Sequence, residues 1–203
     1  MTAQALTPAA LAQANDVFLH VRVIIGVILG LSIGRLLQGL AWFIEHPGKQ
    51  KLSAIHLGWV FWALLSVIGY WWWELRLNHI LDWTFGRYLF IFAYASCYFL
   101  LCAMLFPGEL DDHDGYAGYF LSRRKWFFAL VALTFALDIG DTLLKGSAYL
   151  AALGPPYLVR AAIWIIACAL GAAIPARRFQ LGLALVAILA QLGFFFAYYD
   201  RLG

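Results

Sequence analysis

Six long apolar stretches run through this chain, and they constrain its fold more than any other feature. A helix needs about 20 apolar residues to cross a bilayer, and lipid offers no hydrogen-bond partner to an irregular backbone. Turn-forming residues such as Pro107-Gly108 and Pro175 separate the stretches. The sequence therefore predicts an all-α polytopic integral membrane protein, a single transmembrane domain over 1–203 with six transmembrane helices. The predicted spans are about 17–44, 53–75, 84–107, 125–145, 156–175 and 179–199.

The composition agrees with a bilayer environment. The 203 residues are 64% hydrophobic and 12% charged, whereas about a quarter of a soluble domain is charged. A net charge of +3, with its basic residues dispersed, argues against nucleic acid as a partner. The three cysteines lie in apolar runs without CxxC or Cys/His spacing, which favours small core residues over disulfides or metal ligands.

Two local patterns predict where the first helix begins and how the last two spans are arranged. Thr7 followed by Pro8 is typical of a helix start and predicts a short surface helix before the first span. The connection between the fifth and sixth spans is so short that these spans should form an antiparallel hairpin.

The distribution of Lys and Arg between the connections predicts the orientation. The side holding the loops after spans one, three and five carries seven basic residues: Lys49, Lys51, Arg123, Arg124, Lys125, Arg177 and Arg178. The opposite side carries four: Arg76, Arg87, Lys145 and Arg201. This bias predicts that both termini lie outside, in the periplasm if the cell is bacterial.

The segment FPGELDDHDGYAGYFLSRRKWFF (106–128) is unusually polar for this chain. An EF-hand with Gly115 at its sixth position would have Leu110 and Leu121 at its two essential end positions, which excludes that motif. The CDP-alcohol phosphotransferase signature also fails, because Asp114-Gly115 is not followed by its Ala-Arg pair at the required spacing.

The remaining interpretation is a segment at the membrane surface. Its acids would be solvated, Tyr116, Tyr119 and Phe120 would lie at the lipid interface, and the basic triplet 123–125 would reach lipid phosphates. A weak cation site or a partner-binding loop stays open as an alternative, formed by Glu109, Asp111, Asp112, His113 and Asp114.

Three stretches carry a resemblance: IIGVILGLSIGRLLQGL (24–40), GYWWWEL (69–75) and GYFLSRRKWFF (118–128). Together they resemble an uncharacterised family of small bacterial multi-spanning inner-membrane proteins. The resemblance implies a bacterial inner-membrane location and no known activity.

A glycine pattern in the first span predicts a helix-packing seam. Gly26, Gly30 and Gly34 recur at spacing four, so they share one helix face where another backbone can approach closely. The partner could be another span or another subunit. Arg35 follows this seam deep in the span, and we expect it to pair with Glu45 or a loop acid.

A charged stripe in the fourth span predicts a polar site. Thr134, Asp138, Asp141 and Lys145 fall on one helix face, and an unpaired aspartate in hydrocarbon costs several kcal/mol. Further charged residues fall at a similar depth, in the outer half of their own spans. The candidate polar cavity consists of Asp138, Asp141, Arg160, Arg87, Arg22 and Glu74. We expect Asp138 or Asp141 to contact Arg160, with Arg87 as the alternative cation.

No cofactor or catalytic motif is predicted. His20 and His56 lie at opposite ends of their spans and cannot share one haem, and spans five and six lack a retinal-binding lysine. The polar cavity favours a small transporter, channel or solute sensor that binds an ion, a proton or a small polar solute. A structural subunit of a larger membrane complex or a homo-oligomer is the alternative, and a lipid-modifying enzyme is a second one. Membrane lipids are the expected partners.

Overall fold

The computed structural model describes residues 7–108, 110 and 114–198. These residues contain six α-helices long and apolar enough to cross a membrane, and no strand. The helices are α1 (Pro8–Glu45), α2 (Ala54–Trp73), α3 (Phe85–Leu105), α4 (Gly115–Leu144), α5 (Ser147–Ala173) and α6 (Arg177–Tyr198). A 3₁₀ helix, Glu74–His79, continues directly from α2. The predicted all-α, six-span membrane fold is confirmed.

The first helix is longer than predicted. Pro8 does begin a helix, but α1 then runs without interruption for 38 residues to Glu45 instead of ending as a short surface helix. At 1.5 Å per residue it is about 57 Å long, well beyond the roughly 30 Å of a hydrocarbon core. The prediction of a separate surface helix is therefore wrong, because no helix-breaking residue lies between Pro8 and the first apolar run.

The fourth helix begins at Gly115, ten residues before the predicted start of its span. Its first turns pack inside the bundle: the Tyr116 ring lies 4.9 Å from Phe43, and Phe120 stacks on Trp59 at 6.3 Å. Tyr116 and Phe120 are thus core residues and do not lie at the lipid interface as predicted. Of the predicted acidic loop, residues 109 and 111–113 lie outside the described residues.

The fifth helix is kinked where the sequence predicts its start. Gly154 has a φ of +70°, a conformation that glycine adopts without a steric penalty, and Pro155 and Pro156 follow it. Proline is tolerated at the beginning of a helical segment, because the first backbone N–H groups need no helical partner there. The chain therefore kinks at Gly154, while its helix already begins at Ser147.

Helix α2 occupies the centre of the bundle and packs against α1, α3, α4 and α6. Helix α5 packs chiefly on α4, and α6 packs chiefly on α2 rather than on α5. The short turn between α5 and α6 is closed by the Gln180 side chain, whose Nε2 donates to the carbonyls of Gly171 and Ile174, both at 2.7 Å. The predicted hairpin is therefore a tight turn whose two helices diverge.

Candidate functional site

A buried ion cluster joins the end of α2 to the end of α4. Lys145 Nζ lies 2.5 Å from Asp141 Oδ2 and 3.0 Å from Glu74 Oε1, and it also donates to the Trp73 carbonyl at 3.3 Å. Asp141 and Lys145 are one helical turn apart on α4, and Glu74 begins the 3₁₀ helix. Glu74 is 2% exposed and Asp141 is fully buried. We call Glu74, Asp141 and Lys145 the ion cluster.

The ion cluster contains one more carboxylate than its ammonium group neutralises. Glu74 Oε2 and Asp141 Oδ1 are buried and accept no hydrogen bond from a donor group among the described residues, although the two carboxyl groups lie close enough to share a proton. Two arginines lie on the same side of the bundle, but among the described residues neither forms an ion pair with Glu74 or Asp141. The Arg22 guanidinium lies 5.8 Å from the Phe18 ring centre, and that of Arg76 lies 5.1 Å from the Tyr149 ring centre. A buried carboxylate without a counter-charge is unfavourable, so one more positive charge, which a proton could supply, would neutralise the cluster.

Tyr157 organises the neighbouring acid. Its hydroxyl lies 2.8 Å from Asp138 Oδ2 and 2.8 Å from Thr142 Oγ1. A tyrosine has one hydroxyl proton, so it donates to the Asp138 carboxylate and accepts from Thr142. Tyr157 directly follows the Gly154 kink, which brings its ring into the α4–α5 contact, where it is 1% exposed.

A polar cavity of about 40 Å³ lies between α2, α3, α4, α5 and α6. It is lined by Ser66, Tyr70, Trp73, Tyr94, Tyr98, Thr134, Phe135, Asp138, Arg160, Gln191 and Phe194. Ser66 Oγ and the Tyr70 hydroxyl are buried there without a partner among the described residues. A water molecule needs about 10–15 Å³ of such space, so the cavity accommodates a few waters or one small ion.

Trp73 connects the cavity to the ion cluster. Its side chain lines the cavity, and its ring faces Lys145 Nζ at 5.7 Å on the cluster side. Asp138, which lines the cavity, lies about one helical turn before Asp141, which belongs to the ion cluster, so adjacent turns of α4 contribute to both. The cavity and the ion cluster are thus adjoining parts of one polar region.

Arg160 enters this region without forming the predicted ion pair. Its guanidinium lies 3.7 Å from the Phe194 ring centre and 5.4 Å from that of Phe135, and it lines the same cavity as Asp138. Among the described residues it forms no direct ion pair with Asp138 or Asp141, but its charge acts on Asp138 at longer range across the cavity that both line. The aromatic rings hold Arg160 by cation–π contact, and the cation of Asp141 is Lys145.

The two other predicted arginines lie at the edge of the region or outside it. Arg22 shares a small pocket with Glu74 and Trp71, but it is exposed. Arg87 pairs with the exposed Asp82 just before α3 and does not line the cavity. Arg87 is therefore not the alternative cation for the buried acids.

The glycine face of α1 is open along most of its length. A Cβ added to Gly26 would lie 3.8 Å from Trp71, whereas one added to Gly30 or Gly34 would meet nothing within 4 Å. Close contacts form at other glycines, because Phe106 crosses Gly39 and Phe128 crosses Gly171. Below this face, Arg35 donates to the Phe106 carbonyl and not to Glu45 as predicted.

Sequence reasoning placed Lys145 on the charged stripe but not as the cation of Glu74 and Asp141, and among the polar groups it missed three that matter here: Tyr157, Ser66 and Tyr70. The spacing of Lys145 four residues after Asp141 is a usable signal, since such pairs meet on a helix. The remaining three carry no local signal, because the tertiary packing of α2 and α5 places them.

Comparisons with protein-family models, with curated protein sequences and with solved structures found no match to this chain.

Proposed function

We propose that this protein is a small transporter or channel for protons or a small monovalent cation, and that the ion cluster with its adjoining cavity is the ion-binding site. The observation that carries the proposal is the surplus carboxylate: two buried acids share one ammonium group, and each keeps an oxygen without a hydrogen-bond donor among the described residues. A single carboxylate would suffice for a structural ion pair. The second one gives a mobile cation a place to bind.

The size of the cavity supports a small ion over an organic solute. Sites for drug-sized ligands measure about 300–1,000 Å³, whereas this cavity measures about 40 Å³. Its partnerless hydroxyl groups, on Ser66 and Tyr70, are suited to water or to a hydrated cation. Hydroxyl and carboxyl groups within one polar region are also the groups that relay protons across membranes.

Two further elements of the proposal concern location. The family resemblance of the three quoted stretches supports a bacterial inner-membrane protein. The excess of Lys and Arg in the loop 46–53, at the start of α6 and in the 123–125 triplet of α4 supports a cytoplasmic position for that side. Both termini, the ion cluster and the α4–α5 turn then face the periplasm, and the ion would enter from outside.

The proposal is tested by ion flux in liposomes that contain the purified protein. A membrane potential is imposed, and internal pH is followed with a trapped dye, with sodium and potassium fluxes measured in parallel. We expect flux of one of these cations above that of empty liposomes. Glu74→Gln should reduce it at least tenfold, because the remaining Asp141–Lys145 pair is neutral and has no place for another cation.

Asp82→Asn is the matched control, since Asp82 is an exposed acid on the same side of the bundle. It should leave the flux unchanged. Wild-type protein that carries none of the three cations, or equal flux in wild type and Glu74→Gln, would overturn the proposal.

The open glycine face favours a second candidate, a subunit of a larger membrane assembly. Gly30 and Gly34 leave space for another backbone, and Val27 and Leu31 beside them are exposed. The variant Gly30→Leu distinguishes the transporter proposal from the assembly proposal. Under both proposals it should leave thermal stability unchanged. It should shift the oligomeric state in mild detergent only if this glycine face is an interface.

A further inference from the structure

A basic groove lies at the end of the bundle opposite the ion cluster, where α2, α4 and α6 begin. Its volume is about 350 Å³, and it is lined by Lys51, Leu52, Ser53, Ala54, Ile55, Asp114, Ala117, Arg177, Arg178 and Leu181. We call it the basic groove. It is separated from Glu74 by the whole length of α2, so its role does not depend on the ion site.

The charges of the basic groove do not balance. Lys51, Arg177 and Arg178 contribute three positive charges, against one negative charge from Asp114. The contact between Arg177 Nη2 and Asp114 Oδ2 is long, at 3.5 Å, and both side chains are largely exposed. Such a pair is weak, so the guanidinium groups keep donors for an anion.

The helix ends around the groove add to its positive potential. Helices α2 and α6 both begin at residues that line it, and the first N–H groups of a helix carry a partial positive charge. At α4, Asp114 precedes the first residue but makes no capping hydrogen bond, because its carboxylate points to Arg177. The groove therefore combines three cations with the partial positive charge of helix ends, although Ser53 caps α2 by accepting from the His56 N–H at 3.3 Å.

Apolar side chains complete the groove and indicate the kind of anion. Leu52 is 67% exposed beside Lys51, while Ile55 and Leu181 lie deeper in the wall. A ligand with a phosphate group and an adjoining hydrocarbon chain would cover both surfaces. We propose that the basic groove binds a phosphate group, and that this phosphate belongs to the headgroup of an anionic phospholipid rather than to free phosphate.

The test is lipid binding measured by native mass spectrometry of the detergent-purified protein. Phosphatidylglycerol and phosphatidylcholine with identical acyl chains are titrated separately. We expect the wild type to retain the anionic lipid preferentially, and the double variant Arg177→Gln/Arg178→Gln to bind it at least about tenfold more weakly. Lys51→Gln alone should weaken binding in the same direction and provides an independent variant should the double variant fold poorly.

The control is Lys49→Gln, which removes an exposed charge at the same end of the bundle that does not line the groove. It should bind the lipid like wild type. In a parallel arm, inorganic phosphate is added and the unfolding temperature is measured. Stabilisation of wild type but not of Arg177→Gln/Arg178→Gln, without a lipid preference, would assign the site to free phosphate. Equal retention of both lipids with no response to phosphate, or an equal loss in the control, would overturn the proposal.

Discussion

Lys145 Nζ and Glu74 Oε1 lie 3.0 Å apart, although the two residues are 71 positions apart in the chain. This contact ties the end of α4 to the end of α2, and Asp141 shares the same ammonium group. Lys145 thus holds together two buried carboxylates that would otherwise repel each other. The arrangement gives one ammonium group to two carboxylates and leaves one negative charge without its own counter-charge.

Lys145→Met removes this shared cation while keeping a side chain of similar length. We expect it to lower the free energy of unfolding by about 3–5 kcal/mol, because it leaves two buried carboxylates without their counter-charge. Thermal unfolding in detergent measures the change. Lys125→Met, at an exposed position of the same helix, is the control and should change stability by less than about 0.5 kcal/mol. Equal stability of the two variants would show that the ion cluster does not support the fold.

Tyr157→Phe removes the hydroxyl that donates to Asp138 Oδ2 and accepts from Thr142. We expect a loss of about 1–3 kcal/mol, because the buried partners lose their hydrogen bond while the ring still fills its space. Tyr88→Phe is the control, since Tyr88 is half-buried and stacks on His20 at 6.2 Å. If both variants unfold at the wild-type temperature, the Tyr157 hydroxyl does not hold the acid in place.

The glycine that is tightly packed against another helix is Gly171, and not Gly30 of the seam predicted from the sequence. Gly171→Ala should destabilise the protein by about 1–3 kcal/mol, because the new Cβ would lie 2.5 Å from the buried Phe128 ring. Gly30→Ala should be neutral or slightly stabilising, since nothing lies within 4 Å and alanine favours a helix. Unfolding temperatures compare the two. A larger loss for Gly30→Ala would restore the seam predicted from the sequence as the main contact.

The number and order of the spans could be predicted because each depends on a local property, a long apolar run. Helix ends were less predictable, since they depend on tertiary partners. Tyr116 and Phe120 look like interface residues in the sequence, and the aromatic cluster around Trp59 and Phe43 is what draws the first turns of α4 into the bundle.

The candidate site shows the same limit. Asp138, Asp141 and Glu74 were identified because a charge in a span requires a partner, which is a local argument. The partner of Glu74 could not be found, since a single sequence has no signal that links residues 74 and 145. Arg160 was placed at the correct depth, but its aromatic neighbours on α4 and α6 hold it away from the expected ion pair.

The predicted orientation can be measured by cysteine labelling in intact cells. In a variant without the native cysteines 97, 102 and 168, Lys49→Cys should be shielded from an impermeant thiol reagent, and Ser147→Cys should react. Both positions are exposed, and they lie at opposite ends of the bundle. The physical reason is the excess of basic residues on the side of Lys49. The reversed pattern would place the ion cluster toward the cytoplasm.

We propose that the surplus carboxylate of the ion cluster holds an exchangeable cation. Infrared difference spectroscopy tests it directly, because a protonated carboxyl group in a dry site has a carbonyl band that a carboxylate lacks. In buffer free of sodium and potassium at neutral pH, a proton is the cation available to the site. We predict such a band in the wild type and in Asp82→Asn, and its loss in Glu74→Gln, where the remaining acid is neutralised by Lys145. A wild-type spectrum without this band, or a band that Glu74→Gln leaves unchanged, would contradict the account.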